Sequence, residues 1–316
     1  MRALFSIGRY YNTAPMHVGI VINPISGRLG HRSDEAERRR SFTQSRADAA
    51  GVTVTIVMTE GRGHARELAQ GFVAAGCDGV IAMGGDGTIN EVAQALIGTS
   101  IPLGIVPSGS GDGLATGLGL TTDRERSMRI ALTAAPVPID VGYAGDRIFL
   151  NVAGVGFDGA VARQFAARST RGALGYVGTG TRLVWSYKAP DYEVRWHNGE
   201  VEEVRRGQKL LLGFANGPTY GNLAVLAPDA SLCDGLLDMV LVSAGGPVRQ
   251  IWRARRLFWN HRRAAEGIER ARVARATVRA DSLVGHLDGE PFEVAGSLEI
   301  GVRPKALWVR PGKSSL

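Results

Sequence analysis

The first part of the chain alternates short apolar runs with longer polar or amphipathic stretches. The apolar runs are rich in β-branched residues and predict buried strands at 17–23, 52–57, 79–83 and 103–106. The stretches between them predict helices at 33–50, 64–75 and 89–97, the first of them exposed and rich in charge. Strands that alternate with helices over about 120 residues predict a parallel α/β sheet.

The pattern changes near Pro136-Val137-Pro138, after which short β-type runs dominate. These runs cover 139–143, 147–153, 192–197, 209–215, 237–242, 276–279, 298–303 and 306–310. Helices are predicted to interrupt them at 159–187 and 247–270. The turn-rich spacing predicts an antiparallel sandwich or barrel. We therefore predict an α/β domain over 1–137 and a mainly antiparallel β-sandwich domain over 138–316, whose C-terminal strand could pack back on the first domain.

Composition agrees with a folded two-domain protein. The chain has 316 residues, of which 44% are hydrophobic and 21% charged, and this length suits two separate cores. Its 43 glycines amount to roughly twice ordinary usage. Two cysteines exclude a disulfide framework and a four-cysteine zinc site, which favours a reducing cytoplasm. The apolar runs are too short for a membrane span or a secretory signal.

The positive charge is concentrated in one segment. Residues 249–275 contain nine arginines and two glutamates, which together account for the whole net charge of +7. Trp252 and Trp259 lie seven residues apart and so fall near one another on a helix. Basic residues interleaved with tryptophan predict contact with an anionic membrane surface. A solvated helix whose aromatic residues pack on the sandwich is the alternative. Nucleic acid is not an expected partner, because no recognised binding motif accompanies the charge.

A glycine-rich constellation, Gly84-Gly85-Asp86-Gly87-Thr88, directly follows the third predicted strand and precedes a helix. Ligands of parallel α/β sheets collect at the C-terminal ends of strands. Glycines there let backbone N–H groups approach phosphate oxygens, and the N-terminus of a helix adds a favourable dipole. Asp86 would repel bare phosphate but suits phosphate-bound Mg²⁺. An ordinary tight turn is the alternative.

Two further loops of small residues follow neighbouring strands. Pro107-Ser108-Gly109-Ser110-Gly111-Asp112-Gly113 follows the fourth strand, and Asn23-Pro24-Ile25-Ser26-Gly27 follows the first. Three such loops at successive strand ends predict one polar crevice, and none of them matches the P-loop pattern. A G-x-G-x-x-G pattern at 154–159 lies in the second domain without an acidic residue about 20 positions later, so a dinucleotide site there is not favoured.

These motifs, together with Asp288-Gly289-Glu290, resemble the diacylglycerol kinase and sphingosine kinase superfamily of lipid kinases. Further matches are Asn23-Pro24-x-Ser26-Gly27, Gly156-Phe157-Asp158, Ala227-Pro228-x-Ala230 and Asp234-Gly235-Leu236-Leu237-Asp238. They follow the family's order along nearly the whole chain. The resemblance implies an α/β nucleotide-binding domain, a β-sandwich lipid domain, and ATP in the cleft between them.

The resemblance also implies roles for particular residues. The expected nucleotide-site residues are Asn23, Ser26, Gly27, Thr59, Gly84, Gly85, Asp86, Gly87, Thr88, Asn90, Gly109, Ser110 and Gly111. Asp86 would organise Mg²⁺ and the γ-phosphoryl group. Glu290 would be the general base that accepts the proton of the lipid hydroxyl, although some family members are thought to use the aspartate that matches Asp86. For Asp288-Gly289-Glu290 on its own, a simple hairpin turn is the alternative.

A second metal site and several substrate-side residues follow from the same resemblance. Asp234, with the main-chain carbonyls of Ser231 and Leu236, matches a structural Mg²⁺ site of the bacterial diacylglycerol kinases. The expected substrate-side residues are Asp112, Asp140 and Asp158. A structural role is the alternative for Asp140, and a buried, hydrogen-bonded carboxylate is the alternative for Asp158.

The pair Asp112-Gly113 departs from the bacterial diacylglycerol kinase pattern, which usually has Asn-Asp at this point. The sequence here is closer to sphingosine kinases and their bacterial relatives, so the lipid specificity stays open. We predict an ATP- and Mg²⁺-dependent kinase for a hydroxyl of diacylglycerol, a sphingoid base or a related lipid. The expected location is the cytoplasm, at the inner face of the membrane, and a homodimer stays open. The alternatives are an NAD kinase-like enzyme, which shares the Gly-Gly-Asp-Gly loop, and a catalytically silent nucleotide- or lipid-binding protein.

Overall fold

The structure is a computed structural model that describes residues 16–27, 34–109, 111–166, 180, 183–220, 224–259 and 266–313. Ser110 of the predicted nucleotide site lies outside the described residues. Among the described helices, none combines the length and apolar character that crossing a membrane requires.

The N-terminal half alternates strands and helices. Its elements are β1 (His17–Ile22), α1 (Glu35–Ala49), β2 (Thr53–Met58), α2 (His64–Ala74), β3 (Gly79–Gly84), α3 (Asp86–Leu96), β4 (Leu103–Pro107), α4 (Gly113–Gly117) and α5 (Arg124–Thr133). β1 pairs in parallel with β2 and β3, and β3 pairs in parallel with β4. Every residue of β3 and β4 is buried, as expected for strands covered on both faces.

The second half is mainly β-structure. Its elements are β5 (Val137–Ala144), β6 (Arg147–Phe149), β7 (Val152–Gly156), α6 (Phe157–Ala166), β8 (Asp191–Asn198), β9 (Val201–Ala215), β10 (Thr219–Tyr220), β11 (Ala224–Val225), β12 (Leu237–Ser243), α7 (Pro247–Trp259), β13 (Ile268–Val273), β14 (Arg275–Leu287) and β15 (Glu290–Val309). Their mutual pairings are antiparallel. The predicted antiparallel character of this half is therefore confirmed.

The strand β15 joins the two halves into one sheet. It pairs antiparallel with β14 and β5, and its last residue, Val309, lies in parallel register with Leu103 of β4. The N–H of Arg310 donates to the Leu103 carbonyl at 3.0 Å. In the described part of the chain the order is β13-β12-β9-β7-β14-β15-β4-β3-β1-β2. The domain boundary near residue 137 stays a prediction, since hydrogen bonding continues across it.

Apolar side chains cover both faces of the parallel strands. Phe72, Ile89 and Leu96 belong to the core on the α2 and α3 face, while Ile20 and Met128 belong to the core on the α5 face. The second half buries its own aromatic core, which includes Phe149, Tyr192, Trp196 and Phe214. Both halves therefore have a core of the kind that burial of apolar surface stabilises.

Three predicted helices differ from the structure. The helix predicted at 89–97 begins three residues earlier, at Asp86, so the end of the glycine constellation is a helical turn rather than a loop. The helix predicted at 247–270 is confirmed as α7 over 247–259 and is wrong for 266–270, because 268–273 pairs with β12 as strand β13, while 260–265 lie outside the described residues. The helix predicted at 159–187 is described as α6 from Phe157 to Ala166, and most of its remainder lies outside the described residues.

Two more differences concern local signals. Helix α5 was not predicted, although Asp123 caps it by accepting the N–H groups of Glu125 and Arg126. The two runs predicted at 298–303 and 306–310 belong to the single strand β15, whose register with β5 shifts around Lys305. Lys305 has φ of 52°, a left-handed conformation that marks the irregularity.

Candidate active site

The loops that follow β1, β3 and β4 touch one another through glycines. A Cβ atom at Gly27 would collide with the Ser108 carbonyl oxygen, and Gly27 also has a positive φ of 73°. A Cβ at Gly85 would lie 3.2 Å from the Cα of Gly109. Glycine is therefore required where the three backbones meet. The structure brings together the three loops that the sequence predicted to form one crevice.

Asn23 connects the first loop to the second. Its side-chain Nδ2 donates to Thr88 Oγ1 at 3.0 Å, and its backbone N–H donates to the Met83 carbonyl at 2.9 Å. Thr88 lies in the first turn of α3 and packs over Gly84, where a Cβ would be 2.6 Å from the Cβ of Thr88. Three of the predicted nucleotide-site residues therefore fix the entry of the chain into α3.

The buried ion pair of Arg39 and Glu35 supports the first loop from α1. Arg39 donates to the Asn23 carbonyl at 2.6 Å, to Ser26 Oγ at 2.7 Å and to the Ser26 carbonyl at 2.8 Å. Glu35 accepts from Arg39 at 2.8 Å and from Arg124 at 3.0 Å. Burial raises the pKa of Glu35, but the hydrogen bonds from the two arginines outweigh it and leave the pKa lowered.

The sequence missed Arg39, because α1 was predicted as an exposed, charge-rich helix. Most residues of α1 are exposed or half-buried, as that prediction has it, but Glu35 and Arg39 lie on its buried stripe. Their spacing of four residues is the usual one for an ion pair on a helix, and it was the available signal.

Asp86 occupies the first turn of α3 and reaches the third loop. Its carboxylate accepts backbone hydrogen bonds from Asp112 and Gly113, and a Cβ at Gly111 would be 2.5 Å from Asp86 Oδ2. Burial, followed by the nearby charges of Asp112 and Asp288, raises the pKa of Asp86 to about 7. A bound cation would counter both effects.

Asp112 is a second buried carboxylate beside Asp86. It has a left-handed backbone, with φ of 41°, and its Oδ1 accepts the Gly109 N–H at 3.2 Å. Its Oδ2 is buried and has no hydrogen-bond partner among the described residues, and burial raises the pKa of the carboxyl. A buried acceptor without a partner is costly and calls for an explanation such as an ion.

The chemistry of this pair fits Mg²⁺. The ion prefers carboxylate oxygens and is usually held by one or two carboxylates together with substrate phosphates. Within the described ranges, no three acidic, histidine or cysteine side chains converge on a single point, so an all-protein cage is not part of this site. Asp86 and Asp112 instead supply two carboxylates next to the loops where phosphates are expected.

Asp288 is a half-buried carboxylate at the same crevice that links several parts of the backbone. It accepts the backbone N–H groups of Leu150, Asn151 and Val152 at 2.6, 3.0 and 2.9 Å, and the Asn90 side chain at 3.1 Å. Burial raises its pKa, and these four hydrogen bonds oppose the rise. The Asn90 amide, predicted at the nucleotide site, therefore ties α3 to the turn between β14 and β15.

Glu290 follows that turn and is exposed. Its Oε1 accepts a hydrogen bond from Arg62 at 2.7 Å, and Arg62 lies in the loop between β2 and α2, shortly after the buried Thr59. Glu91, directly after Asn90, holds the same loop by accepting the Gly63 N–H at 2.8 Å. Arg62 was not singled out in the sequence, and a lone arginine in a loop carries no signal of its own.

Asp158 and His286 form a buried pair beneath the turn. Asp158 Oδ2 lies 2.6 Å from His286 Nε2, while Nδ1 of the ring accepts the Gly289 N–H at 3.1 Å. This acceptor role assigns the proton to Nε2. Burial lowers the pKa of His286, and the Asp158 charge raises it by more. For Asp158 the structure shows the buried, hydrogen-bonded alternative, and a Cβ at Gly154 would strike both side chains.

Asp140 also forms hydrogen bonds within the protein. It is fully buried, and its two oxygens accept the N–H groups of Gly235 at 2.6 Å and Lys305 at 2.8 Å. It therefore anchors a loop of the second half to the irregular point of β15. The structural alternative describes this residue, and its predicted place near substrate is not supported by these contacts.

At the predicted structural metal site, an arginine side chain lies against the carboxylate that would bind the metal ion. The Asp234 carboxylate pairs with the Arg272 guanidinium and accepts the Leu236 N–H at 3.0 Å, while Ser231 Oγ accepts from Cys233 at 3.3 Å. A guanidinium already neutralises Asp234, so these residues do not fit a metal ion in this arrangement. The metal site stays a prediction, and the proposed mechanism does not use it.

An apolar cavity of about 210 Å³ lies beside the β14–β15 hairpin, and its lining includes Leu287, Phe292, Val294 and Leu298. Residues at alternate positions of a strand share a face, so Glu290, Phe292 and Val294 face the same side of β15. A larger groove of about 630 Å³ between α1 and β2 is lined by polar residues and contains none of the predicted site residues.

Comparison with known proteins identifies the class. Residues 17–144 match the diacylglycerol kinase catalytic domain, and residues 151–310 match the YegS C-terminal NAD kinase beta sandwich-like domain. The chain is a lipid kinase with a two-domain fold and a C-terminal β-sandwich of mostly antiparallel strands. It belongs to the YegS-like lipid kinases.

Individual relatives agree with this membership. "Probable lipid kinase YegS-like" of Pseudomonas putida is 32% identical over 264 residues, which cover 82% of this chain and 85% of the relative. The protein of the same description from Chromohalobacter salexigens is 32% identical over 253 residues, covering 78% and 80%. A solved diacylglycerol kinase structure from Bacillus anthracis strain Sterne shares the fold, with a TM-score of 0.70 and 18% identity over 95% of this chain and 98% of that chain.

Proposed function

We propose that this lipid kinase binds ATP and Mg²⁺ in the crevice of the three glycine loops. It transfers the γ-phosphoryl group to a hydroxyl of diacylglycerol, a sphingoid base or a related lipid at the inner face of the membrane. The observation that carries the proposal is the pair of neighbouring carboxylates Asp86 and Asp112. The buried Oδ2 of Asp112 lacks a hydrogen-bond partner among the described residues. Membership of this kinase family implies that the phosphate donor is ATP.

Phosphate binding would rest on backbone groups rather than on a lysine of a P-loop. The N-terminus of α3, at Gly85 and Asp86, has free N–H groups and the positive end of a helix dipole. The contacts at Gly27, Gly85 and Gly109 bring the three loop backbones together, which supports a ligand that several loops bind at once. Asp86 and Asp112 would hold Mg²⁺, which when bound neutralises phosphate charge as it develops.

Glu290 would act as the general base. The Arg62 guanidinium holds Oε1 of this carboxylate at 2.7 Å, and the exposed position leaves the carboxylate open to a substrate hydroxyl. One carboxylate oxygen of Glu290 would take the proton of the lipid hydroxyl while the hydroxyl oxygen attacks the γ-phosphorus, and the bond from the γ-phosphorus to the β-phosphate oxygen would break to release ADP. Asp86 is less suited to this role, because Asp112 and Gly113 already donate to its carboxylate.

The apolar cavity beside the hairpin supports a lipid acceptor. Leu287 and Phe292 lie within two residues of Asp288 and Glu290 along the chain, so an apolar chain in the cavity would lead to the base. The cavity is too small for two acyl chains, and the remainder of such a lipid would stay in the bilayer or micelle. NAD has no comparable apolar part, which favours the lipid over the NAD alternative.

The deciding experiment is incubation with labelled ATP, Mg²⁺ and detergent-solubilised lipids, namely diacylglycerol, monoacylglycerol and sphingosine, with NAD in parallel. We expect label in at least one lipid, none in NAD, and none after chelation of Mg²⁺. Glu67→Gln, a change on the exposed side of α2, is the matched control and should behave like the wild type. Transfer only to NAD, or ATP binding without any transfer, would replace the proposal by one of the two alternatives.

A further inference from the structure

Helix α7 has two polar side chains, Gln250 and Arg253, that face the protein. Gln250 and Arg253 are each only 4% exposed. The Arg253 guanidinium donates to the carbonyls of Ser243 at 2.6 Å, Ala244 at 2.9 Å and Glu266 at 3.2 Å. This buried arginine therefore fastens α7 to the end of β12 and to the residues that lead into β13. An ordinary surface helix would instead present apolar side chains to the core.

The opposite side of α7 is apolar and faces outward. Val248, Ile251 and Trp252 are 75%, 46% and 43% exposed. Their spacing of three and four residues places them on one face of the helix. A contiguous apolar face on the outside of a protein marks a contact with a membrane or another macromolecule. The alternative from the sequence, in which the aromatic residues pack on the sandwich, does not describe Trp252.

Basic residues accompany this face. Arg249 is exposed beside Val248, and the Arg256 guanidinium lies 5.0 Å from the centre of the Trp252 ring. No acidic residue occurs between Pro247 and Trp259. A tryptophan beside arginines is a combination typical of the boundary between water and lipid head groups. The charge of α7 is therefore complementary to an anionic surface.

Other arginines of the basic segment form hydrogen bonds or ion pairs within the protein. Arg270 donates to the Leu226 carbonyl at 2.8 Å, Arg272 pairs with Asp234, and Arg275 pairs with Glu299 at 3.7 Å. With Arg253 buried as well, the charge available to an outside ligand is smaller than the sequence suggests. Among the described arginines of this segment, those beside the apolar face are Arg249 and Arg256.

We propose that the outward face of α7, formed by Val248, Ile251 and Trp252 with Arg249 and Arg256 beside them, docks on an anionic lipid bilayer. The apolar side chains enter the head-group region while the guanidinium groups contact lipid phosphates. The inference rests on the proposed function only in that the acceptor is a membrane lipid. The docking itself needs no catalysis.

Vesicle sedimentation tests the face directly. The full chain is mixed with vesicles of phosphatidylcholine alone, or of phosphatidylcholine with an equal amount of phosphatidylglycerol. We expect binding to the mixed vesicles, weakened by high salt. The double variant Ile251→Ser with Trp252→Ser should lower the affinity at least about tenfold. Arg249→Gln should lower it about fivefold, the loss expected for one cation near an anionic surface.

Matched controls use equivalent residues elsewhere. Val201→Ser changes an exposed valine at the β8–β9 turn, and Arg126→Gln removes an exposed charge from α5. Both should bind vesicles like the wild type. Unchanged vesicle binding in both α7 variants would overturn the proposal. So would a wild-type dimer that α7 variants convert to monomers without any vesicle binding, because the face would then be a contact between two copies.

A catalytic variant separates this proposal from the proposed function. Asp86→Asn should bind mixed vesicles as tightly as the wild type although it transfers no phosphate. The α7 variants should keep the turnover of a lipid acceptor presented in detergent micelles. If no lipid accepts phosphate yet vesicle binding depends on α7, the kinase mechanism fails and the docking surface stands.

Discussion

Asp112, which is buried, and Asp288, which is half-buried, both lie near Asp86, yet their carboxylate oxygens differ in their hydrogen-bond partners. Asp288 accepts four hydrogen bonds from the protein, which leave its two oxygens well satisfied. Asp112 accepts one from Gly109, and its Oδ2 has no partner in the described part of the chain. A carboxylate that the fold satisfies serves the fold, whereas one with spare acceptor capacity is available to a ligand.

The same contrast sorts the other predicted aspartates. Asp140 and Asp158 resemble Asp288, because each is buried and bonded within the protein. Asp86 accepts two backbone hydrogen bonds but is grouped with Asp112 by position, because the two carboxylates are neighbours in the crevice, and burial and the charges of Asp112 and Asp288 raise the pKa of Asp86 to about 7. The family motifs alone do not separate these two groups, since both contain acidic residues at matching positions. Hydrogen-bond partners separate Asp112 from Asp140, Asp158 and Asp288, and the position of Asp86 beside Asp112 places it in the same group.

The largest expected effect tests the group with spare capacity. Asp86→Ala should reduce phosphoryl transfer at least about 10³-fold, because it removes a carboxylate that organises charge at the phosphates. The thermal unfolding temperature should stay close to that of the wild type. Turnover in lipid micelles and unfolding followed by circular dichroism are the measurements. Near-normal turnover would remove Asp86 from the mechanism. It would also contradict the distinction between aspartates that serve the fold and those available to a ligand.

The next effect concerns stability. Asp288→Asn should lower the free energy of unfolding by about 3 kcal/mol, since an amide NH₂ group would face backbone N–H donors. Asp112→Asn should change it by less than about 1 kcal/mol, because asparagine tolerates the left-handed backbone and the repulsion with Asp86 disappears. Urea titrations of both variants give the comparison. An equal loss in the two variants would show that the difference in partners has no energetic meaning.

A smaller effect is expected at the proposed base. Glu290→Gln should lower kcat about 10²-fold, because the amide cannot accept the hydroxyl proton, while the KM for ATP changes little. Arg62→Ala is the partner control and should leave the fold intact, since exposed ion pairs contribute little to stability. Steady-state kinetics in lipid micelles provide both constants. A variant with unchanged kcat would transfer the role of base to Asp86.

The smallest effect is a pH dependence. Asp86 holds its proton in the folded chain up to a pKa of about 7, whereas the ordinary value of 3.8 applies when the chain unfolds. Between these values only the folded state binds the proton, so the free energy of unfolding should fall as pH rises, by at most about 1.4 kcal/mol per pH unit. Asp86→Asn should lack this component. Parallel slopes for the two proteins between pH 4 and 7 would contradict the shift.

The glycine loops were predictable because their requirement is local. Close backbone contacts such as Gly27 with Ser108 admit no side chain, so a glycine at the end of a strand is informative even without a structure. The parallel strands were predictable for a similar reason, because β3 and β4 are apolar throughout. These features depend on residues close together in the sequence.

Features that depend on distant partners were not predictable. His286 meets Asp158 from a position 128 residues away, and no periodicity marks either as a member of a pair. The basic segment also needed the fold, because Arg253 and Arg270 satisfy backbone carbonyls and are not free to contact a membrane. Strand β13 was missed because its pairing with β12, rather than its own pattern, determines its conformation.

The long strand β15 has a consequence for synthesis of the protein. Val309 and Arg310 pair with Leu103, so the edge of β4 is completed by residues made about two hundred positions later. A nascent chain that has reached only the middle of its length therefore exposes an unpaired edge of a buried, apolar strand. Such edges invite pairing with other chains. We therefore expect the growing polypeptide to be most prone to association with other chains before the final strand emerges.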